Sequence, residues 1–592
     1  GTELLPALPE IRNDFANYYV PARLVRAGVP LARAYETEWF QNEIRRAGID
    51  RLGGFASFPP ASALLLWPLA GLAPAAAKLG WALVLAAAYL ASYLVLRPVA
   101  GLSGALLALV FLLPGASLAN ALRFGQPYPL LLLLLALSLR ALLAGRGFLA
   151  GALLAPVFVL KLYGAAFLLH FLWARRWRAA AGFAAGAAVL TALSLAALGP
   201  AVHVQYLREQ LPALLRGEYV DSYSPAWQTV ASVSRRLFQA EPELNPHPAL
   251  DAPALARGLG AGLSSLVLLL SAFTRAEGPR ALPRTWAALA AGSLAASPVL
   301  ASYHFVLLVL PVALLAGDPE LDVWMRAALL ALLVFATSPY AFALADRAQG
   351  WANLVAAPRL LATLLVFAAA LWLLGRPRPW WPAPAAALLA ALLAARGQPA
   401  PGWERLAGPR GPAGDPVACE GTVAWVTAEG ERLVVRAADG RAWSGPGDTF
   451  GPRCDRGRLT VAHSVGAGEA GAPVEAGDQD VAPDGAVVRA EPGRDGLREV
   501  RPAGERLLAP GRVLHPRVSP DGQWVACQRW SGGDGWDVVA VERASGRVVL
   551  VAASRRHEQQ PSWSPDGRSV LFASDWNRGL GYGTVYRTSF AP

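Results

Sequence analysis

Carboxylates are missing from the middle of this chain: between Phe58 and Pro200 there is not one Asp or Glu. No soluble domain of that length reads this way, because a water-facing surface needs charge. Lysine is nearly absent too, with only Lys78 and Lys161 against many Arg, so a Lys in an odd place stands out. Cysteine is held to three, Cys419, Cys454 and Cys527, all in the C-terminal part. That count allows one disulfide in an oxidising compartment and leaves one thiol over. The polar loops of the apolar part hold no Asp-X-Asp or His/Asp cluster, so the residues imply no metal and no cofactor. No cleavable signal is visible at the start of the sequence.

What is present divides sharply near residue 398. Before it, long Ala/Leu/Val runs recur; after it, apolar stretches shorten to strand length and Gly, Pro, Asp and Arg punctuate them. The net charge of +11 does not point to nucleic acid, because Arg residues cluster between hydrophobic segments, where the positive-inside rule places them. The expected organisation is a first loop with amphipathic helices over 1–57, a polytopic membrane domain over 58–398 with a polar loop at 201–257, a linker at 399–416, and a β domain over 417–592.

Candidate spans begin with 60–76 and 78–96, continue through 101–119, 128–144, 149–174 and 179–199, and end with 381–395, each near the length a bilayer core requires. Four basic clusters fix the sides: Arg140 with Arg146, Arg175 with Arg176 and Arg178, Arg275 with Arg280 and Arg284, and Arg376 with Arg378. With these inside, Gln126, the 201–257 stretch, the turn before His304, Asp346 and everything after residue 396 fall outside. Residues 147–174 lie between two inside clusters, which calls for two half-helices turning near Lys161 and Gly164. Residues 58–97 offer two spans where sidedness demands an odd number.

Chemistry that needs a carboxylate is thereby confined to loops. The first carries Glu3, Glu10, Asp14 and others, with Asp14 in Arg12-Asn13-Asp14-Phe15-Ala16-Asn17-Tyr18-Tyr19. A partly desolvated Asp among aromatics suits proton abstraction from a hydroxyl; on residue type alone a helix N-cap comes first. Lys161 lies deep in an apolar run, either as a phosphate ligand or as a snorkelling interfacial Lys. His304 reads either as a phosphate partner or as a structural interfacial His. The 201–257 loop offers Gln228, Arg235 and Arg236 beside Tyr223 and Trp227, the aromatics and amides of a sugar site with Arg for an anionic leaving group; an ordinary interfacial helix reads the same.

Asp14-Phe15 with Tyr18-Tyr19, Phe58-Pro59-Pro60, Gly125-Gln126 before an all-Leu span, Lys161-Leu162-Tyr163 followed by Arg175-Arg176-Trp177-Arg178, the Gln228 to Arg236 segment, and Ser297-Pro298 with His304 together resemble the C-type polyprenyl-phosphate-dependent glycosyltransferases, most closely glycosyltransferase family 87. The resemblance runs over roughly residues 12–375. It implies a C-type membrane fold, a plasma-membrane location and transfer of a hexose, usually mannose, from polyprenyl phosphate to a glycan, glycolipid or protein acceptor on the extracytoplasmic face, with inversion. It makes Asp14 the general base rather than a cap, and Gln126, Lys161, Gln228, Arg235, Arg236 and His304 substrate-binding residues. It also expects a transmembrane helix upstream of the first loop. The rival from another class is a transporter or lipid-carrier flippase, which would carry polar groups at mid-depth and an internal repeat.

In the C-terminal part Gly440, Gly485, Gly522 and Gly567 follow Asp at steps of 45, 37 and 45 residues, the blade period of a β-propeller. Ser519-Pro520-Asp521-Gly522 and Ser564-Pro565-Asp566-Gly567 resemble TolB-type, WD40-like propeller repeats. About four blades are expected, on the extracytoplasmic side, with the Asp residues as turn formers and a protein partner or acceptor glycan as ligand.

Overall fold

The computed structural model describes residues 11–592 apart from 56–57, 225, 275–276, 339–347, 376–381, 397–400, 408–411, 431, 446, 456, 464–478, 492–493, 532–534, 555, 577 and 579–582. Glu3, Glu10, Arg275, Asp346, Arg376 and Arg378 lie outside the described residues.

Two short helices, Asn13–Arg26 and Thr37–Arg46, precede the apolar part. By length and composition, and among the described residues, Pro74–Leu96, Trp177–Leu198 and Pro253–Ala272 suffice to cross a membrane, and Gly104–Leu112 with Gly115–Phe124 form an apolar pair bent by 56°, a broken span or a re-entrant loop. Pro114 sits at that bend, where it interrupts the helical hydrogen bonding. Shorter apolar helices complete the body, among them Tyr128–Leu143, Gly147–Lys161, Val323–Thr337 and Pro358–Leu374. Leu90, Leu94 and Leu112 are 67%, 62% and 75% exposed, an apolar exterior that fits a membrane protein rather than a water-facing one.

The region 58–97 holds one long helix where two spans were expected. Residues 60–76 form the short 3-10 turns Pro60–Leu64 and Trp67–Leu69 before Pro74–Leu96 begins. Prolines at 60, 68 and 74 remove the amide donors that a continuous helix would need. Gly147–Lys161 does end in a sharp turn, with Leu162 at φ 60° and Ala165–Trp173 following. Its neighbour Trp177–Leu198 packs backbone to backbone: a Cβ on Gly151 would lie 1.8 Å from the Ala179 carbonyl oxygen, and one on Gly182 1.9 Å from that of Phe148. Small residues therefore set this crossing.

The C-terminal part is all β. Four four-stranded antiparallel sheets and one two-stranded sheet are described. Each bonds to the next: Leu433 N donates to Asp448, Arg453 to Asp480, the Val518 amide to Asp480, the Gln560 amide to Gln528, and the Asp415 amide to Gln560. These contacts run around a propeller-like ring. The strand Glu404–Ala407 and the start of Ala413–Cys419 fall in the segment expected as a linker. Glu404–Ala407 completes the last sheet by pairing with Thr584–Ser589, a partner too distant for local pattern to reveal.

The glycine repeat is partly out of phase. Gly485, Gly522 and Gly567 turn the first hairpin of their sheets, whereas Gly440 turns the third hairpin of its own. The equivalent turns are Gly421 and, in the two-stranded sheet Thr449–Asp455 with Arg458–His463, Gly457. Cys419 and Cys454 form the disulfide, and Cys527 is free and buried.

Candidate active site

Asp14 lies in the first turn of Asn13–Arg26, where the helix dipole favours a carboxylate. The N-cap position is Arg12, without a side-chain cap, so Asp14 does not fill the capping role that its residue type suggested. Its carboxylate accepts a hydrogen bond from Gln126 Nε2 at 2.8 Å, and Gln126 Oε1 accepts one from the Tyr18 hydroxyl at 2.9 Å. Tyr303 also hydrogen-bonds Asp14. Both donors favour the ionised form.

Gln126 is held by a chain of local constraints. Gly115–Phe124 ends in a left-handed Gly125 at φ 67°, and a Cβ there would come within 3.2 Å of Phe15. Lys78 Nζ binds the Leu122 carbonyl and Trp81 Nε1 the Gly125 carbonyl, each at 2.7 Å. Lys78 is fully buried, so one of the two lysines serves the turn that aims Gln126 at Asp14.

The other is Lys161, the last residue of Gly147–Lys161. Its Nζ lies 4.4 Å from the Phe58 ring centroid, 5.5 Å from that of Tyr18 and 5.8 Å from that of Tyr128. Ring faces attract an ammonium but leave its three donors unused. Among the described residues it has no hydrogen bond or ion pair, although Asp14 is near enough to act on it through charge. His304, at the start of Ser302–Leu308, is 3% exposed, stacks on Tyr303 at 4.9 Å and meets the tilted ring of Tyr128 at 4.3 Å. Its Nδ1 lies 2.9 Å from the Ala301 amide nitrogen and 3.1 Å from the Ala301 carbonyl oxygen; the tautomer that accepts from the amide carries its hydrogen on Nε2.

Burial raises the Asp14 pKa above the ordinary aspartate value, while the bonds from Gln126 and Tyr303 and the charge of Lys161 pull it back down. The desolvation wins, and the carboxylate is a stronger base than one in water.

The fold therefore gathers Asp14, Gln126, Lys161 and His304 from four segments into one cluster among aromatic rings. It seats the other three candidates elsewhere. Gln228 accepts the Arg359 amide at 2.9 Å, buttressing the start of Pro358–Leu374. Arg235 donates to Ser222 at 3.0 Å and to the Gly217 carbonyl at 3.2 Å, and Arg236 to the Trp227 carbonyl at 3.2 Å. Arg235 feels the charges of Arg556, Glu218 and Arg257, and Arg236 that of Asp221; Glu218 and Asp221 themselves bind Arg556 and Arg578 of the β domain at 3.2 and 3.1 Å. Composition missed Tyr128, Tyr163 and Tyr303, rings of that cluster; their signal was an aromatic at the end of each apolar run. Among the described residues no group of His, Cys, Asp or Glu stands close enough to hold a metal.

Apolar helices bring a half-buried carboxylate and a half-buried ammonium beside a buried amide, and are joined to a propeller-like β domain. Residues 55–302 match the model of Glycosyltransferase family 87, and the helical part is a glycosyltransferase. That span includes Gln126, Lys161, Gln228, Arg235 and Arg236 and stops short of Asp14 and His304. It favours the transferase over the transporter or flippase. No curated protein matches the chain. Among solved structures, the chain is similar to a putative TolB from Agrobacterium tumefaciens, at 16% identity over 30% of this chain and 58% of that one, TM-score 0.17. It is similar also to TolB from Acinetobacter baumannii, at 15% identity over 28% and 38%, TM-score 0.15. The chain thus spans less than two thirds of either structure.

Proposed function

We propose that this protein moves a hexose, mannose by the family resemblance, from a polyprenyl-phosphate donor to an acceptor hydroxyl, with inversion, on the extracytoplasmic face of the plasma membrane. Asp14 takes the proton from the acceptor hydroxyl as its oxygen bonds to the anomeric carbon. The bond from that carbon to the phosphate oxygen breaks, and polyprenyl phosphate leaves toward Lys161 and the Nε2 hydrogen of His304. Preorganised donors act most where charge develops, here on the departing phosphate. Gln126 keeps the carboxylate turned to the acceptor. Gln228, Arg235 and Arg236 enter this reading as positioning residues that hold the 201–257 loop against the β domain, which stands on the same side of the membrane.

The observation that carries the reading is the juxtaposition of a desolvated Asp14 with an ammonium whose donors are unspent. An anionic group entering between the rings would satisfy Lys161. A neutral solute passing through would not require it.

Membranes carrying the wild type and Asp14→Asn, given a labelled polyprenyl-phosphate sugar, test it. Transfer by the variant is expected to fall by about 10²–10⁴-fold, the span of a lost general base. Equal transfer by both would overturn the mechanism.

A further inference from the structure

A second concavity lies between the first loop and the β domain, a cavity of about 330 Å³. Its β side is built by the first strands of four sheets, through Asp415, Phe450, His515 and Gln560. Each strand carries a register shift at that point. Asp415, His515 and Gln560 sit there in the left-handed region at φ 44°, 51° and 54°, with Gly451 at 58° in the fourth strand. Bulges re-aim side chains, and here non-glycine residues hold a conformation that favours glycine to bring three polar side chains to one channel mouth. The membrane side is closed by Thr37–Arg46 and its approach, which contribute Tyr35, Trp39, Gln41 and Asn42.

The lining specifies its ligand by what is already paired. Arg33 holds Glu36 at 2.8 Å, Arg512 holds Glu209 at 2.5 Å, Arg45 holds Asp448 at 2.7 Å and Arg517 meets Asp415 at 3.4 Å. An ionic ligand would have to break one of these pairs. What remains is amides, aromatic faces, the imidazoles of His515 and His557, and a carboxylate oxygen of Asp575. Asp575 is 4% exposed; one of its oxygens accepts the His557 amide at 3.0 Å, and the other has no hydrogen-bond partner among the described residues. A buried carboxylate oxygen without a donor is costly, and a ligand hydroxyl supplies one. Trp39, only partly buried, offers an indole to the apolar face of a ring.

The cavity also borders the reaction site. The Tyr35 hydroxyl donates to the Phe58 carbonyl at 2.8 Å, and the Phe58 ring is the nearest wall to Lys161.

We propose that this cavity binds a neutral saccharide and forms the distal acceptor subsite of the transferase, Trp39 stacking on a sugar ring and Asp575 accepting a hydroxyl. Its volume is at the lower end of the about 300–1,000 Å³ of small-molecule sites, room for a mono- or disaccharide. The acceptor role rests on the proposed transfer reaction; the binding does not.

The test uses full-length protein in lipid nanodiscs, free of glycoside detergents, titrated calorimetrically with mannose, mannobiose and maltose, with glucuronate as the anionic control. Saturable binding of at least one neutral sugar is expected, with glucuronate inert. Trp39→Ala and Asp575→Asn should each weaken it by about tenfold or more, the size of one lost hydrogen bond to a charged group or one lost stacking face, while Trp39→Phe retains it. Unchanged melting temperatures in these variants separate lost binding from lost folding. Absence of saturable binding for all three sugars, or affinity unaltered in both variants, overturns the proposal. Asp14→Asn should bind as the wild type does. If it also transfers sugar normally, the reaction assignment fails and the saccharide site stands.

Discussion

Two sets of charges in the helical part, one buried and one half-buried, are arranged in opposite ways. Asp318, fully buried, receives both Nε and Nη2 of Arg284 at 2.7 Å, and Glu320 adds a contact to Arg284 at 2.6 Å. Arg280 beside them ties the Val99 and Leu314 carbonyls at 3.0 and 2.9 Å. Every charge there is spent on the protein itself. At the other set, Asp14 faces an amide and a phenol, and Lys161 faces ring faces, with no ion pair closing between the two. The first arrangement lowers the cost of burying charge, as a clamp between segments should. The second leaves the donors of Lys161 unspent among the described residues.

The sharpest break of this comparison exchanges the two aspartates for asparagine. Asp14→Asn should lose transfer as stated above and yet raise the melting temperature. The sign follows from linkage: a carboxyl whose folded pKa lies above its unfolded one binds protons more tightly when folded, so its contribution to stability is greatest at low pH and is lost as pH rises through the raised pKa. Asparagine mimics the neutral form at every pH. Asp318→Asn should do the reverse, costing about 3 kcal/mol of stability by removing the buried carboxylate from Arg284 and leaving it only the exposed Glu320 as an ionic partner, while the folded fraction transfers sugar at the wild-type rate. Thermal melts beside labelled-sugar transfer read both, and a destabilised Asp14→Asn would break the contrast.

Lys161→Met should lower kcat by about 10²-fold, the scale of one lost transition-state donor, without lowering the melting temperature. Lys161→Arg should not restore the rate, because a planar fork does not replace a compact ammonium between three rings. A variant with full activity would return Lys161 to a packing role.

The smallest effect is in the pH profile. The acid limb of kcat/KM should fall above the ordinary aspartate value of 3.8, since activity needs Asp14 ionised. Gln126→Leu should push that limb higher still, because the lost hydrogen bond favoured the ionised form. A limb unmoved by Gln126→Leu would place the titrating group elsewhere.

Asp14, Gln126, Lys161 and His304 were legible because each is a residue type at odds with its surroundings: a carboxylate among aromatics, an amide before an all-Leu run, a Lys in a chain of Arg, a His after a run without charge. Arg235 and Arg236 looked equally suited to a phosphate. What separates them is the β domain, whose Arg556 and Arg578 meet Glu218 and Asp221 next to this pair across more than three hundred residues. The missing crossing at 60–76 was also legible in principle, from its prolines. The strand Glu404–Ala407 was not, since its partner is the far end of the chain.

By itself the sequence determined the change from an apolar helical part to an all-β part and the hairpin turns of the latter. These depend on composition and on periods within a few residues, where hydrophobicity and backbone propensity act. Tertiary structure alone decided which candidates share a cluster, that Lys78 supports a turn while Lys161 faces the carboxylate, and that a bulge in four separate strands opens one cavity. Those outcomes depend on which distant segments meet, and buried charge takes its meaning from the partners that packing leaves beside it.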